Sequence, residues 1–342
     1  MNDYALPVID LSLLDGSPES AAKFRDDLLC AAHEVGFFYL VGHGVDESLM
    51  DGLLAASREF FALPDEQKFA VENVNSPQFR GYTRVGGELT EGKTDWREQI
   101  DVGPERPVVD TAAGVADYWR LEGPNLWPDA VPQLRSLANE WNDKLSAVSL
   151  RLLRAWAQSL GAPEDSFDHA FADKPFPVMK IVRYPGESTA EPKQGVGAHR
   201  DGGVLTLLMV EPGKGGLQVD RAGEWEDVPP MPGAFVVNIG EMLELATQGY
   251  LTATLHRVIS PLIGDDRISI PFFFNPALDT VMPQLQLPTE LEAQARGVSL
   301  DPTNSPILET YGDNALRYRM RAHPNVAQIH HDDLIQAPRG AI

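Results

Sequence analysis

The chain has 342 residues, 43% apolar and 23% charged, a globular composition long enough to bury a sizeable core. Its 28 basic residues face 50 acidic ones, a formal net charge of −22; this speaks against nucleic acid and anionic membranes, which need clustered Lys and Arg. Cys30 is the only cysteine, so disulfides within the chain and thiolate metal sites are excluded. No run nears the roughly 20 apolar residues that span a bilayer, and "MNDYALPVIDLS" lacks the layout of a signal peptide, so a soluble cytoplasmic protein is expected.

In chain order, the apolar stretch "LPVIDLS" precedes a segment, Ser20 to Val35, in which Phe24, Leu28, Ala31 and Ala32 share one helical face. "GFFYLVGHGV" reads as a buried strand closed by glycines. "DESLMDGLLAASREFFAL" reads as a second amphipathic helix, with Asp46 near its N-cap and Pro64 at its end. Residues from about Asn73 to Pro132 are rich in Gly, Pro and polar types and predict a long excursion with little regular structure, a lid in character. Leu134, Leu137, Trp141, Leu145, Val148, Leu152 and Trp156 mark one long helix between Pro132 and Leu160. After Phe176 come short β-rich runs, "VMKIVRYP", "VLTLLMVE", "GLQVDRAGEWEDVP", "AFVVNIGEMLELAT", "TATLHRVISP" and "ISIPFFFNP", the pattern of a sandwich or barrel. From Pro306 the tail, with "ILETYGDNALRYRMRAHP", returns to helix. The fold class expected is α+β with a mainly β core. Residues 1–130 form an N-terminal region, and residues 131–342 carry the long helix, the β core and the tail, the two making one compact unit.

Of the eight histidines, His199 and His256 fall in β runs of the core. In "GAHRDGG", His199 and Asp201 are two apart and point to the same side of an extended chain. His256, in a later strand, can face them across a barrel. Two imidazoles and one carboxylate form the facial triad suited to non-haem Fe(II), although a His-x-Asp by itself is equally a turn cap. Arg267 and Ser269 in "DDRISIPFFFNP" also share one strand face. A guanidinium pointing into a barrel requires an anion, and a carboxylate is its natural bidentate partner. An ion pair with Asp265 or Asp266 is the competing reading, weakened because Asp266 points to the opposite side.

The run "HRDGGVLTLL … GGLQV … HRVISP … RISIPFFFNP", with "LPVIDLS … AAHEVGFFYLVGHGV … FFALPDEQK" before it, resembles the isopenicillin N synthase-like branch of the 2-oxoglutarate/Fe(II)-dependent oxygenases, as a bacterial member. The resemblance runs in order over most of the chain. It implies a double-stranded β-helix, or jelly-roll, with N-terminal helices, a long helix packed on the barrel and a C-terminal helical segment. It implies Fe(II) held by His199, Asp201 and His256, and 2-oxoglutarate as co-substrate with its distal carboxylate on Arg267 and Ser269. It further implies O2 as the oxidant, with succinate and CO2 formed as a small molecule is hydroxylated, desaturated or cyclised. Tyr184 in "IVRYP" falls where relatives carry an aromatic and would donate to the same carboxylate, or else serve as a core tyrosine. Val182 stands where plant members usually have Asn, and Arg200 where Thr is common between the ligands.

The stretch Arg80 to Gly103 would bring Glu88 and Thr90 to the substrate, Glu88 favouring an amine or guanidinium; the competing reading of Glu88 is a solvated loop carboxylate. Lys180, Arg183 and Arg321 would serve an anionic substrate, Arg321 first among them. His43 reads as structural, and Phe235, Val237, Ile270 and Phe272 as barrel wall or core. An amino-acid-like compound or a secondary metabolite is the expected substrate. The rival readings are an oxidase of the isopenicillin N synthase kind, which does not use 2-oxoglutarate, and a non-catalytic module that binds 2-oxoglutarate.

Overall fold

The computed structural model describes residues 6–111, 114–186, 193–262, 264–299 and 307–336. The chain opens with β1 (Val8–Asp10), then α1 (Pro18–Glu34), which begins at Ser17, whose hydroxyl accepts the Ser20 N–H. Phe24, Leu28, Ala31 and Ala32 are its buried apolar face, as their spacing predicts. Gly36, at φ +70°, turns the chain into β2 (Phe37–Val41); a Cβ there would lie 2.1 Å from the Thr252 carbonyl oxygen. Two helices follow, α2 (Glu47–Phe61) and α3 (Asp65–Phe69).

The segment predicted to be irregular holds four strands: β3 (Gly81–Thr83), β4 (Leu89–Thr90), β5 (Lys93–Thr94) and β6 (Glu98–Val102). Every residue of β6 is buried although three of the five are polar. The long helix α4 (Gln133–Ser159) and the short α5 (Asp168–Ala172) come next. The core strands are β7 (Val178–Pro185), β8 (Gln194–His199), β9 (Leu205–Val210), β10 (Leu217–Arg221), β11 (Glu224–Asp227) and β12 (Phe235–Ile239). Helix α6 (Glu241–Ala246) takes the second half of a stretch that reads as β, and β13 (His256–Ile259) and β14 (Asp266–Phe274) complete the core. The tail holds α7 (Thr289–Glu292), α8 (Tyr311–Ala322), α9 (Pro324–His330) and α10 (Asp332–Ile335).

The strands form a double-stranded β-helix. The large sheet has the order β1-β2-β12-β9-β14-β7-β6-β3, and the small one β11-β10-β13-β8. Strands β1 and β2 pair in parallel, and the other neighbours are antiparallel. Strands from the first third of the chain thus continue the sheet built by the last two thirds.

Period-two alternation divides the large sheet into two faces. Phe37, Tyr39, Val182, Tyr184 and Val236 turn inward and pack with Val196, Val219 and Val258 of the small sheet. Phe38, Leu207, Phe235, Val237, Ile270 and Phe272 turn outward against the helices, joined there by Trp141 and Trp156 of α4. The four residues read as wall or core therefore belong to the sheet–helix core and line no site. Truncating Trp141 or Trp156, both fully buried, to alanine would cost about 3–5 kcal/mol.

Candidate active site

His199 ends β8 and His256 begins β13, and the two are direct partners in the ladder between those strands. Asp201 follows two residues beyond the end of β8. The Asp201 Oδ1 lies 3.5 Å from His199 Nε2 and 3.7 Å from His256 Nε2, and the three ligand atoms fall within 4.8 Å of one another.

The remaining polar atoms are already engaged. His199 Nδ1 lies 2.8 Å from the Gly197 carbonyl and His256 Nδ1 lies 3.1 Å from the Thr254 carbonyl, so each ring donates there and keeps an Nε2 lone pair free. Asp201 Oδ2 accepts from Thr206 Oγ1 at 2.5 Å and Asn238 Nδ2 at 2.7 Å, which leaves Oδ1 for a cation. Burial pushes the His256 imidazole down to about 4. Burial works against the Asp201 carboxylate too, but His199, His256 and Asn238 outweigh it and hold its pKa below the usual range. A deprotonated carboxylate and a neutral imidazole are the forms that ligate a metal.

Arg267 is 1% exposed, and Nε, Nη1 and Nη2 all lack a hydrogen-bond partner among the described residues. Burial lowers its pKa, against the influence of Tyr184. Asp266 is occupied elsewhere, by Arg183 at 2.9 Å and Arg58 at 3.2 Å, and Asp265 pairs with Lys214. The ion pair with a neighbouring aspartate is therefore absent. Tyr184 is opposite Arg267 in the β7–β14 register, its ring centroid 4.9 Å from the guanidinium carbon, and Ser269 is opposite Val182. An unpaired buried guanidinium is costly until an anion reaches it. A carboxylate of the dicarboxylate 2-oxoglutarate suits that guanidinium, and the two-His, one-carboxylate set fits Fe(II).

Comparison with known proteins agrees. Residues 6–130 match the family model "non-haem dioxygenase in morphine synthesis N-terminal", and residues 175–276 match "2OG-Fe(II) oxygenase superfamily". The chain is 35% identical to the 2-oxoglutarate-dependent dioxygenase frbJ of Dothideomycetidae sp. (strain 11243), over 96% of this chain and 92% of that protein. The chain belongs to the 2-oxoglutarate–Fe(II) oxygenase superfamily. The oxygenase is also 35% identical to a homoarginine-6-hydroxylase of Arabidopsis thaliana, over 86% of this chain and 91% of the relative. The crystal structure of JOX2 in complex with 2OG, Fe and JA superposes with a TM-score of 0.71 at 29% identity, covering 94% of this chain and 88% of that one. The protein is a 2-oxoglutarate-dependent Fe(II) dioxygenase, and that function is supported over the oxidase and binding-module readings.

Of the other residues singled out in the sequence, some lie as expected and some do not. Glu88 is buried, not solvated: Oε1 is 2.6 Å from Lys180 Nζ, and Oε2 is 3.1 Å from Arg97 Nη2 without hydrogen-bond alignment. Thr90 gives its hydroxyl to Asp95 at 2.6 Å and does not hold it out for a substrate. Arg321 is exposed on α8, beside a surface groove with Met320 and Pro324. Arg319 reaches the interior in its place, 2.5 Å from Asp101, because residues two apart on a helix point to nearly opposite sides. Lys180 joins this cluster, whereas Arg183 pairs on the other face of β7 with Glu98 and Asp266. Arg200 donates Nε to the Ala253 carbonyl at 2.8 Å, away from the triad as its alternation implies. His43 is structural, with both ring nitrogens on backbone partners, Gly233 and Val45.

Arg97, Gln99 and Asp101 escaped the sequence reading. Their period-two spacing in "REQIDV" was the available signal: all three fall on one side of β6 and the residue leading into it. Gln99 pairs with Val182 and Asp101 with Lys180 across the β6–β7 ladder, on the inward face.

Proposed function

We propose that this dioxygenase, within the isopenicillin N synthase-like branch and from a bacterial, cytoplasmic setting, oxidises a small amino-acid-like substrate carrying an amine or guanidinium. One observation carries the substrate reading. Within the buried cluster of Glu88, Arg97, Gln99, Asp101, Lys180 and Arg319, Gln99 Oε1 has no donor among the described residues, and Glu88 Oε2 has only the misaligned Arg97 Nη2 at 3.1 Å. A ligand N–H group supplies what both lack, and a buried acceptor left bare costs about 1–3 kcal/mol. The homoarginine-6-hydroxylase relative supports the same chemistry.

In this reading His199 Nε2, His256 Nε2 and Asp201 Oδ1 hold iron, with Thr206 and Asn238 fixing the carboxylate. Arg267 and Ser269 hold the distal carboxylate of 2-oxoglutarate, and Tyr184 covers the guanidinium. Iron and 2-oxoglutarate together supply the oxidising power: 2-oxoglutarate and O2 become succinate and CO2, and the second oxygen atom is available to the substrate. Glu88 and Gln99 hold the substrate's basic group, which fixes the C–H bond presented to the metal. Sheet strands contributed by both parts support reading 1–130 and 131–342 as one compact unit.

The test is a panel of homoarginine, arginine, lysine, their uncharged analogues and simple carboxylic acids, assayed with Fe(II), O2 and 2-oxoglutarate. The reading predicts succinate and a product one oxygen heavier for a basic compound, with Glu88→Gln and Gln99→Leu raising the substrate KM. Turnover confined to compounds without a basic nitrogen contradicts it.

A further inference from the structure

Asp95 is fully buried and touches neither the triad nor Arg267, yet both its oxygens are saturated by donors. Oδ1 accepts from Gln194 Nε2 at 2.9 Å and from the Gly197 N–H at 3.1 Å. Oδ2 accepts from Thr90 Oγ1 at 2.6 Å and from Arg97 Nη2 at 3.1 Å. Gly197 is also the residue whose carbonyl takes the Nδ1 proton of His199. One residue is therefore held at its N–H by Asp95, while its carbonyl orients the imidazole.

The β4–β5 hairpin is pressed onto this point. A Cβ on Gly197 would lie 2.9 Å from Gln194 Nε2 and 3.0 Å from the Thr90 side chain, so the absent side chain is what lets the hairpin close. Just past the hairpin, Trp96 N–H donates to the Gln194 carbonyl at 2.8 Å.

His199 has more need of such a hold than its partners. The Asp201 carboxylate has two side-chain donors, and the His256 ring sits edge-on to Phe37 at 5.1 Å with 9% of its side chain exposed. The His199 side chain is 28% exposed, so packing restrains it less.

We propose that Asp95 is a positioning residue for the oxidation: by fixing Gly197 it fixes the His199 ring, and through Thr90 it ties that orientation to the β4–β5 hairpin that follows Glu88. The proposal rests on His199 being an iron ligand. Outer partners of metal-bound histidines commonly govern metal affinity by ten- to a hundredfold. Asp95 acts one bond further out, so about tenfold is expected.

The experiment is anaerobic titration of the full chain with Fe(II), and with Co(II) to read the ligand geometry in its visible spectrum. Asp95→Ala should weaken metal binding about tenfold and alter the Co(II) bands, with Asp95→Asn in between because its amide oxygen still accepts from Gly197. Thr90→Val, which removes one donor to Asp95, keeps the test decisive if Asp95→Ala does not fold. Folded Asp95→Asn and Thr90→Val proteins with wild-type metal affinity and an unaltered Co(II) spectrum would overturn the proposal. His199→Ala separates the two layers: wild-type metal affinity in that variant would sink the iron assignment itself, independently of Asp95.

Discussion

Arg267 and His323 show how single buried groups in this oxygenase are held for different ends. Among the described residues Arg267 has no hydrogen-bond partner for any guanidinium nitrogen, a state tolerable only beside a site that an anion fills. His323 is fully buried in the turn between α8 and α9, with Nδ1 3.4 Å from Asn73 Nδ2 and Nε2 3.8 Å from Glu88 Oε1. Glu88 and Asp101 favour its charged form while Lys180 and Arg319 oppose it, and burial dominates, pushing the imidazole down to about 4. The folded protein thus keeps His323 neutral while the unfolded chain binds a proton near pH 6.5. More protons are bound by the unfolded state in that window, so stability falls as pH drops from about 6.5 to 4, by up to about 3 kcal/mol from this residue. Chemical denaturation of wild type and His323→Gln across that range should show a shallower slope for the variant. Parallel slopes would remove His323 from the account.

At the scale of elements, β6 and α8 frame the buried polar cluster proposed to take the substrate. The oxygenase closes one side of its barrel with a strand that the sequence conceals. Glu98, Gln99 and Asp101 look like loop residues, yet each is buried against a partner: Glu98 with Arg183 and Lys68, Gln99 with Asp101, and Asp101 with Arg319. Polar strands paired on both sides defeat a reading based on apolar alternation. Helix α8 is joined to β6 through the Arg319–Asp101 pair and to the turn after Asp201 through Tyr318, whose ring occupies the space a Gly202 side chain would need. Arg319→Ala leaves Asp101 buried with Lys180 at 3.8 Å as its nearest remaining cation, and losing one partner of a buried pair costs about 3–5 kcal/mol. The expected result is faster amide exchange in Tyr311–Ala322 with little change in the core strands, measured by hydrogen–deuterium exchange. Unchanged exchange in α8 would show that its apolar face alone holds it.

Across the whole molecule, what the sequence made legible was what depends on short-range periodicity. The helices at 18–34 and 133–159, most core strands, and the shared faces of His199 with Asp201 and of Arg267 with Ser269 follow from spacings of two or of three and four, whereas the placing of His256 and Tyr184 beside them rests on the family resemblance. What it hid depends on long-range pairing: Glu88 looked solvated because Lys180, 92 positions away, is invisible to local patterns. Arg319 goes unnoticed beside Arg321 in the sequence, because only the docked helix shows which side faces in. The central claim joins the two legible parts: one iron at the triad, and 2-oxoglutarate reaching from it to Arg267. Anaerobic addition of 2-oxoglutarate to the Fe(II)-loaded protein, followed by the visible charge-transfer band of a keto acid chelating iron, tests it most directly. The wild type should develop a saturable band, His256→Ala none, and Arg267→Ala the same band at a ten- to a hundredfold higher 2-oxoglutarate concentration, since a charged hydrogen bond is worth about 1.5–3 kcal/mol. A full-strength band in His256→Ala, or an unshifted titration in Arg267→Ala, would contradict the account.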